Sequence, residues 1–246
     1  MMSIKVASAG SVAAAARALG AQFTADTGVA VEVRHGPGGL LAQSILQGVA
    51  TDLYISASPT GPHQLHAQGL FEQPVTLAHN RLAIVARPGL AWDGSDPLAL
   101  LDQEDLRIAM STPGADPGGD YALAFFNALA ACQPERAARI QQRTRSLYGK
   151  NLPTPGQPQV SPVQRVLANG EADLALVYAS GVPALQALLP GLTSSLLPEA
   201  LSPPTTIAAC CSSQSDAPVR ALLAFLTSEV GRAELAALGF VLPAKR

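Results

Sequence analysis

Several positions spread along the chain carry groups suited to one chemistry, the neutral hydrogen bonding of an anion. They are the hydroxyl of Ser11, the backbone amides of Gly38, Gly39 and Gly118, the helix start at Val160-Ser161, and the phenol of Tyr178. Ser11 follows a strand-like run over 4–9 and precedes the alanine-rich run 12–19, which predicts a helix with a hydroxyl residue at its N-cap. Gly36-Pro37-Gly38-Gly39 opens a second helix and Asp116-Pro117-Gly118-Gly119-Asp120 a third. Val160-Ser161-Pro162 starts a fourth, with Ser161 as N-cap and Pro162 at the first helical position. The first-turn N–H groups of a helix have no intrahelical acceptor and carry the positive end of its dipole, so each of these turns can face an anion. Tyr178 ends the apolar run 172–178, which predicts a strand with the phenol at the carboxyl edge of a sheet. Ser8, Gly10, Gly119 and Ser161 flank these positions and are secondary donors.

Such a set needs no cation. Each hydrogen bond to a charged ligand contributes about 1.5–3 kcal/mol, and each helix end about 0.3–2 kcal/mol. A few together reach roughly −8 to −12 kcal/mol, which corresponds to micromolar to nanomolar affinity. The rest of the sequence narrows the chemistry further. With 14% charged residues, a formal charge of −2 and no basic cluster, the chain has no electrostatic footprint for nucleic acid. Gly36-Pro37-Gly38-Gly39 lacks the Lys-Ser/Thr ending of a P-loop and the third glycine of a dinucleotide fingerprint. His63-x-x-His66 has no carboxylate or cysteine nearby to complete a ligand set, so surface histidines are expected and no metal site. There is no Gly-x-Ser-x-Gly elbow and no nucleophile and base pairing among the four histidines, so neither an enzyme nor a resident cofactor is expected. The vicinal Cys210-Cys211 lies in a strand-like run and points to both faces, which reads as packing. A fully deprotonated oxyanion suits donors alone. Phosphate keeps a proton at neutral pH and wants an acceptor, for which Asp116 or Asp120 is available.

The elements that must position these residues alternate between strand and helix. Strands are expected over 29–34, 52–56, 81–87, 107–110 and 172–178, with helices over 39–47, 63–69, 120–132 and 161–168. A proline-rich loop covers 151–158, and the segment 202–246 adds a strand and helices over 217–226 and 230–238. Pro88-Gly89 marks a crossing point. The pattern predicts an α/β protein with mainly parallel sheets flanked by helices, in two lobes: 1–82 with 196–246, and 83–195. At 246 residues such a chain buries a core without metal or disulfide support.

Taken in order, several segments resemble the periplasmic molybdate-binding proteins of ATP-driven importers. They are Ala9-Gly10-Ser11, 39–45, 50–57, 80–85, Pro117-Gly118-Gly119-Asp120-Tyr121, 170–178 and Leu238-Gly239-Phe240. The resemblance implies a two-lobed periplasmic-binding-protein fold, type II-like, that closes over a tetrahedral oxyanion, molybdate or tungstate. It implies a monomer that delivers the ion to the membrane permease of an ABC transporter. By local matching Ser11 supplies a hydroxyl and amide, Gly118 and Val160 amides, and Tyr178 its phenol. Where that family has a Ser-Ser pair before the second helix, this chain has Pro37-Gly38, which leaves the amides of Gly38 and Gly39. No cationic and apolar leader precedes the first strand. A periplasmic location is expected after removal of a leader not present in this chain, which the doubled Met1-Met2 suits, and a cytoplasmic one if the chain is complete as given. The alternative is a cytosolic anion or small-molecule sensor of the same fold, or a binding protein with a divergent ligand.

Overall fold

The computed structural model describes residues 3–152, 160–202 and 205–243. Its regular elements are, in chain order, β1 (Ser3–Ala9), α1 (Ala13–Thr27), β2 (Ala30–Gly36), α2 (Gly38–Leu46), β3 (Leu53–Ser56), α3 (Thr60–Ala67) and β4 (Val75–Asn80). Then come β5 (Leu82–Ala86), α4 (Pro97–Leu101), β6 (Ile108–Ser111), α5 (Pro117–Cys132), α6 (Pro134–Gln142), β7 (Thr144–Tyr148), α7 (Pro162–Ala168) and β8 (Leu174–Tyr178). The chain continues with α8 (Val182–Leu188), β9 (Thr193–Leu196), β10 (Thr205–Cys211), α9 (Ala217–Thr227) and α10 (Glu229–Ala237). No helix among the described residues is long and apolar enough to cross a membrane.

The chain divides into two compact units, Met1–Asn80 with Thr205–Arg246, and Arg81–Pro204. The junctions therefore fall at 80/81 and 204/205 rather than the expected 82/83 and 195/196. Strand pairing explains the second difference: β9 hydrogen-bonds antiparallel to β5 and so belongs with the second unit. Pro88-Gly89 lies inside that unit, and is no crossing point.

Each unit is built on one five-stranded sheet with the same plan. The first is ordered β2-β1-β3-β10-β4 and the second β7-β6-β8-β5-β9. In each, the first three strands run parallel and the fourth antiparallel. The inner parallel strands β3, β6 and β8 are almost wholly buried, mainly apolar runs because helices cover both faces, whereas the edge strands β2 and β7 are not. In the second unit the alternation is explicit. Leu82, Ile84, Leu174 and Leu176 face a cluster with Phe125, Phe126 and Leu129 of α5. Ala83, Val85, Ala175 and Val177 face Val166, Leu167 and Leu185 of α7 and α8. By that period of two, Tyr178 falls on the α5 side, and it packs there.

Local differences from the expected elements have identifiable causes. Helix α5 starts at Pro117, three residues before the expected 120, because the Asp116 carboxylate caps it and Pro117 supplies a preset backbone angle. Ser11 is not the N-cap of α1: it sits inside a 3-10 turn, Gly10–Val12, and α1 begins at Ala13 with no side-chain cap. Strands β7 and β9 were not legible because their sequences, TRSLY and TSSL, are polar edge strands without an apolar run. The expected loop 151–158 lies mostly outside the described residues.

Candidate functional site

In the first unit the register of two neighbouring strands assembles the donors. Ala9 at the end of β1 pairs with Gly36 at the end of β2, so the turn holding Gly10 and Ser11 lies beside Pro37 and Gly38 at the start of α2. The Ser11 hydroxyl is buried and makes no hydrogen bond to any described residue. An unmet polar group of this kind costs about 1–3 kcal/mol. In the same unit Arg34 Nε of β2 and Thr205 Oγ1 of β10 are also buried without a partner among the described residues. Pro37 takes the N-cap position of α2, and the amides of Gly38 and Gly39 lie in its first turn, where no intrahelical carbonyl reaches them. The carbonyl of Gly38 accepts from the buried Tyr54 hydroxyl at 2.7 Å, which anchors this turn to β3. Ser8 is fully buried and donates to the Ala9 carbonyl at 3.2 Å. Its hydroxyl is thereby occupied locally.

The second unit holds its donors at the equivalent edge. Tyr178, last residue of β8, lies edge-on to Tyr121 with ring centroids 6.4 Å apart and planes at 73°. Its hydroxyl is likewise buried and without a partner among the described residues. Burial first, and the nearby Asp116 second, push this phenol well above its ordinary pKa, so it is a neutral donor at physiological pH. The Tyr178 ring lies against Gly118: a side-chain carbon at Gly118 would stand 3.4 Å from it. Gly118 and Gly119 therefore sit inside the first turn of α5 rather than before it. Gly119 has a packing reason, since a side-chain carbon there would come within 2.5 Å of the Thr112 carbonyl carbon. Ser161 caps α7 by accepting from the Gln164 amide at 3.3 Å, with Pro162 next. Val160 precedes that cap and is 61% exposed.

What most changes the chemistry of this edge is an acid. Asp116 Oδ1 accepts from the Gly118 amide at 3.4 Å, the same amide expected for a ligand, and Oδ2 accepts from the Ser111 hydroxyl. Gly149 closes over them in the left-handed region at φ 76°, where a side-chain carbon would collide with Ser111 Oγ and lie 3.0 Å from Asp116 Cβ. Burial raises the Asp116 carboxyl above the usual carboxylate range. The Ser111 and Gly118 donors oppose that rise, and the neighbouring Asp120 adds to it. Ser111, Tyr121 and Gly149 were not singled out from sequence. A serine closing an apolar strand just before the Asp-Pro-Gly-Gly turn was the available signal for Ser111.

A second acid on the same sheet shows the opposite treatment. Asp173, just before β8 at its amino end, accepts from Arg87 Nε at 2.9 Å, Arg107 Nε at 3.0 Å and the Arg107 amide at 3.0 Å. Burial alone would raise it, but these donors outweigh burial and hold its carboxyl down at about 2. The remaining candidates are structural. Cys210 and Cys211 are buried on β10, their thiols pushed by burial up to about 12 and about 11. His63 and His66 are exposed on α3, and no group of three or more metal-ligating side chains occurs among the described residues.

Parallel strands whose carboxyl ends open into helix N-termini, repeated in two units on one sheet plan, define the fold class of the periplasmic solute-binding proteins. A family model described as "Bacterial extracellular solute-binding protein" matches residues 4–241, and the chain belongs to that family. An uncharacterized protein of Pasteurella multocida, PM1146, is 32% identical over 161 residues; the match spans 63% of this chain and 65% of that protein, short of two thirds of its length. Among solved structures, the periplasmic molybdate-binding protein of Azotobacter vinelandii is similar with a TM-score of 0.75 at 24% identity, over 98% of this chain and 100% of that one. PEB3 with L-phospholactate bound is similar with a TM-score of 0.76 at 15% identity, over 98% and 100%. The sulfate-binding protein SubI of Mycobacterium tuberculosis gives 0.75 at 14% identity, over 98% and 86%. At these identities the structural likeness concerns the fold.

Proposed function

We propose that this chain is a solute-binding protein for a tetrahedral oxyanion, with molybdate or tungstate as the first ligands to test. In the first unit the candidate donors are Ser11, Gly38 and Gly39, with Ser8 and Gly10 secondary; in the second, taken by itself, they are Gly118, Val160 and Tyr178, with Gly119 and Ser161 secondary. The observation that carries this reading is the pair of buried hydroxyls, Ser11 and Tyr178, which make no hydrogen bond to the described protein and sit at carboxyl ends of parallel strands. A buried neutral donor without an acceptor is costly in isolation and is repaid by an anionic oxygen. Similar folds named for molybdate, sulfate and a phosphorylated acid are in keeping with an anionic ligand, while another is named for bound iron. In this reading the protein acts as a monomer in the periplasm and hands its ligand to an ABC permease; the family to which it belongs supports the small ligand and the permease.

Isothermal calorimetry on ligand-free protein with molybdate, tungstate, sulfate and phosphate tests the proposal. Heat with a one-to-one end point for at least one of them is expected. Silence from all of them rejects it.

A further inference from the structure

Asp116 is placed where an anion is expected. Its carboxylate holds the Gly118 amide at 3.4 Å, and the Tyr178 ring, whose own hydroxyl is unpartnered, lies against that same glycine. A ligand oxygen that takes the Gly118 amide competes for that N–H with the carboxylate already on it and lies in its immediate field. Two negative oxygens crowded onto one donor repel, and each disfavours the ionised form of the other. A proton between them turns repulsion into a charge-assisted hydrogen bond.

We infer that Asp116 is a specificity-determining residue and that the bound oxyanion and its carboxyl share one proton. This deepens the oxyanion reading above and rests on it. A ligand that arrives fully deprotonated, such as molybdate or sulfate, draws the proton from solvent onto Asp116, which then donates an O–H to the ligand. A ligand that carries its own proton or hydroxyl, such as hydrogen phosphate or a phosphate monoester, brings the donor with it, and ionised Asp116 accepts.

The surroundings favour this exchange. Ser111 from β6 donates to the carboxylate, Gly149 beyond β7 closes over it, and Tyr148 of β7 and Tyr178 of β8 are neutral phenols within its field. From α5 come Tyr121, whose edge meets Tyr178, and Asp120, itself an acid that donates nothing and instead accepts from the Gly114 amide at 2.8 Å. The charged side chain acting on Asp116 is thus another negative one, and burial already disfavours its ionised form.

The test is calorimetry on the full chain with sodium molybdate and with sodium phosphate, each in two buffers of different ionisation enthalpy, from about pH 5.5 to about pH 8. Molybdate binding should take up close to one proton near neutrality and tighten by up to tenfold per pH unit as pH falls. Phosphate should take up markedly less. Asp116→Asn and Asp116→Ser keep a capping side chain on α5 and should abolish the molybdate proton uptake and its pH slope. Molybdate binding without proton uptake in the wild-type chain overturns the shared proton and leaves the oxyanion reading standing. So does uptake that persists in both variants. Absence of heat from both ions, and from tungstate and sulfate, overturns the oxyanion reading and this inference together.

Discussion

In each unit a long helix follows the first parallel strand in chain order, α1 after β1 and α5 after β6, yet the two junctions are chemically opposite. After β1 the chain passes through a short 3-10 turn, α1 has no side-chain cap, and the Ser11 hydroxyl is buried without a partner. After β6 the equivalent junction carries its own anion: Asp116 caps α5, Ser111 donates to it, and the Gly118 amide is engaged. One unit offers a donor and no charge; the other offers donors already in contact with an acid. The same topology therefore does not imply the same ligand chemistry, because the residue at the cap decides whether the helix dipole is spent internally.

Asp173 extends the contrast and supplies the largest expected effect. Its partners Arg87 and Arg107 are half exposed, so removing the carboxylate should cost less than a fully buried pair, about 2–3 kcal/mol. Asp173→Asn should show this as a lower urea midpoint. The sign with pH follows from the depressed carboxyl: its stabilisation is complete above the usual carboxylate range and is lost as pH falls toward about 2. The variant should have a flatter acid limb in unfolding measured between about pH 4 and about pH 2. An equally steep limb would show that Asp173 is not the group responsible.

Gly149→Ala strikes the Asp116 side of the comparison directly. The left-handed backbone and the collision with Ser111 together should cost about 2 kcal/mol in chemical unfolding. Unchanged stability would mean that the Ser111 and Asp116 contact gives way cheaply.

The next effect separates binding from stability. Ser11→Ala and Tyr178→Phe should each weaken oxyanion binding by about 1.5–3 kcal/mol, while leaving the ligand-free protein as stable or more so, since each removes an unmet buried hydroxyl. Parallel calorimetry and thermal melts check both signs; a fall in stability with unchanged affinity would assign these hydroxyls to the fold. The smallest effect is expected at Pro37→Ser, which restores a hydroxyl and an N–H at the start of α2 and should tighten binding by about 1 kcal/mol. No gain in affinity would remove that turn from the site.

Much of this was legible in the residues. Apolar runs bounded by glycine and proline marked β1, β3, β5 and β8, and the Ser161-Pro162 start of α7 was readable because capping is local. The candidate positions Ser11, Gly38, Gly118 and Tyr178 could be named for the same reason, since a helix start or strand end is written in neighbouring residues, while the Val160 amide came from the family resemblance. Edge strands β7 and β9 were not, since their pairing comes from distant segments, and β9 moved a domain junction by doing so. The charge states were equally invisible. Asp116 and Asp173 are the same residue type, each beside an apolar strand or helix. Burial beside another acid raises the first, while two guanidiniums that meet only in the folded unit lower the second. Sequence by itself determined where donors stand along the chain, because that depends on local geometry. Tertiary structure alone decided which donors are already taken and which acid shares their place, because those depend on distances between residues far apart in sequence.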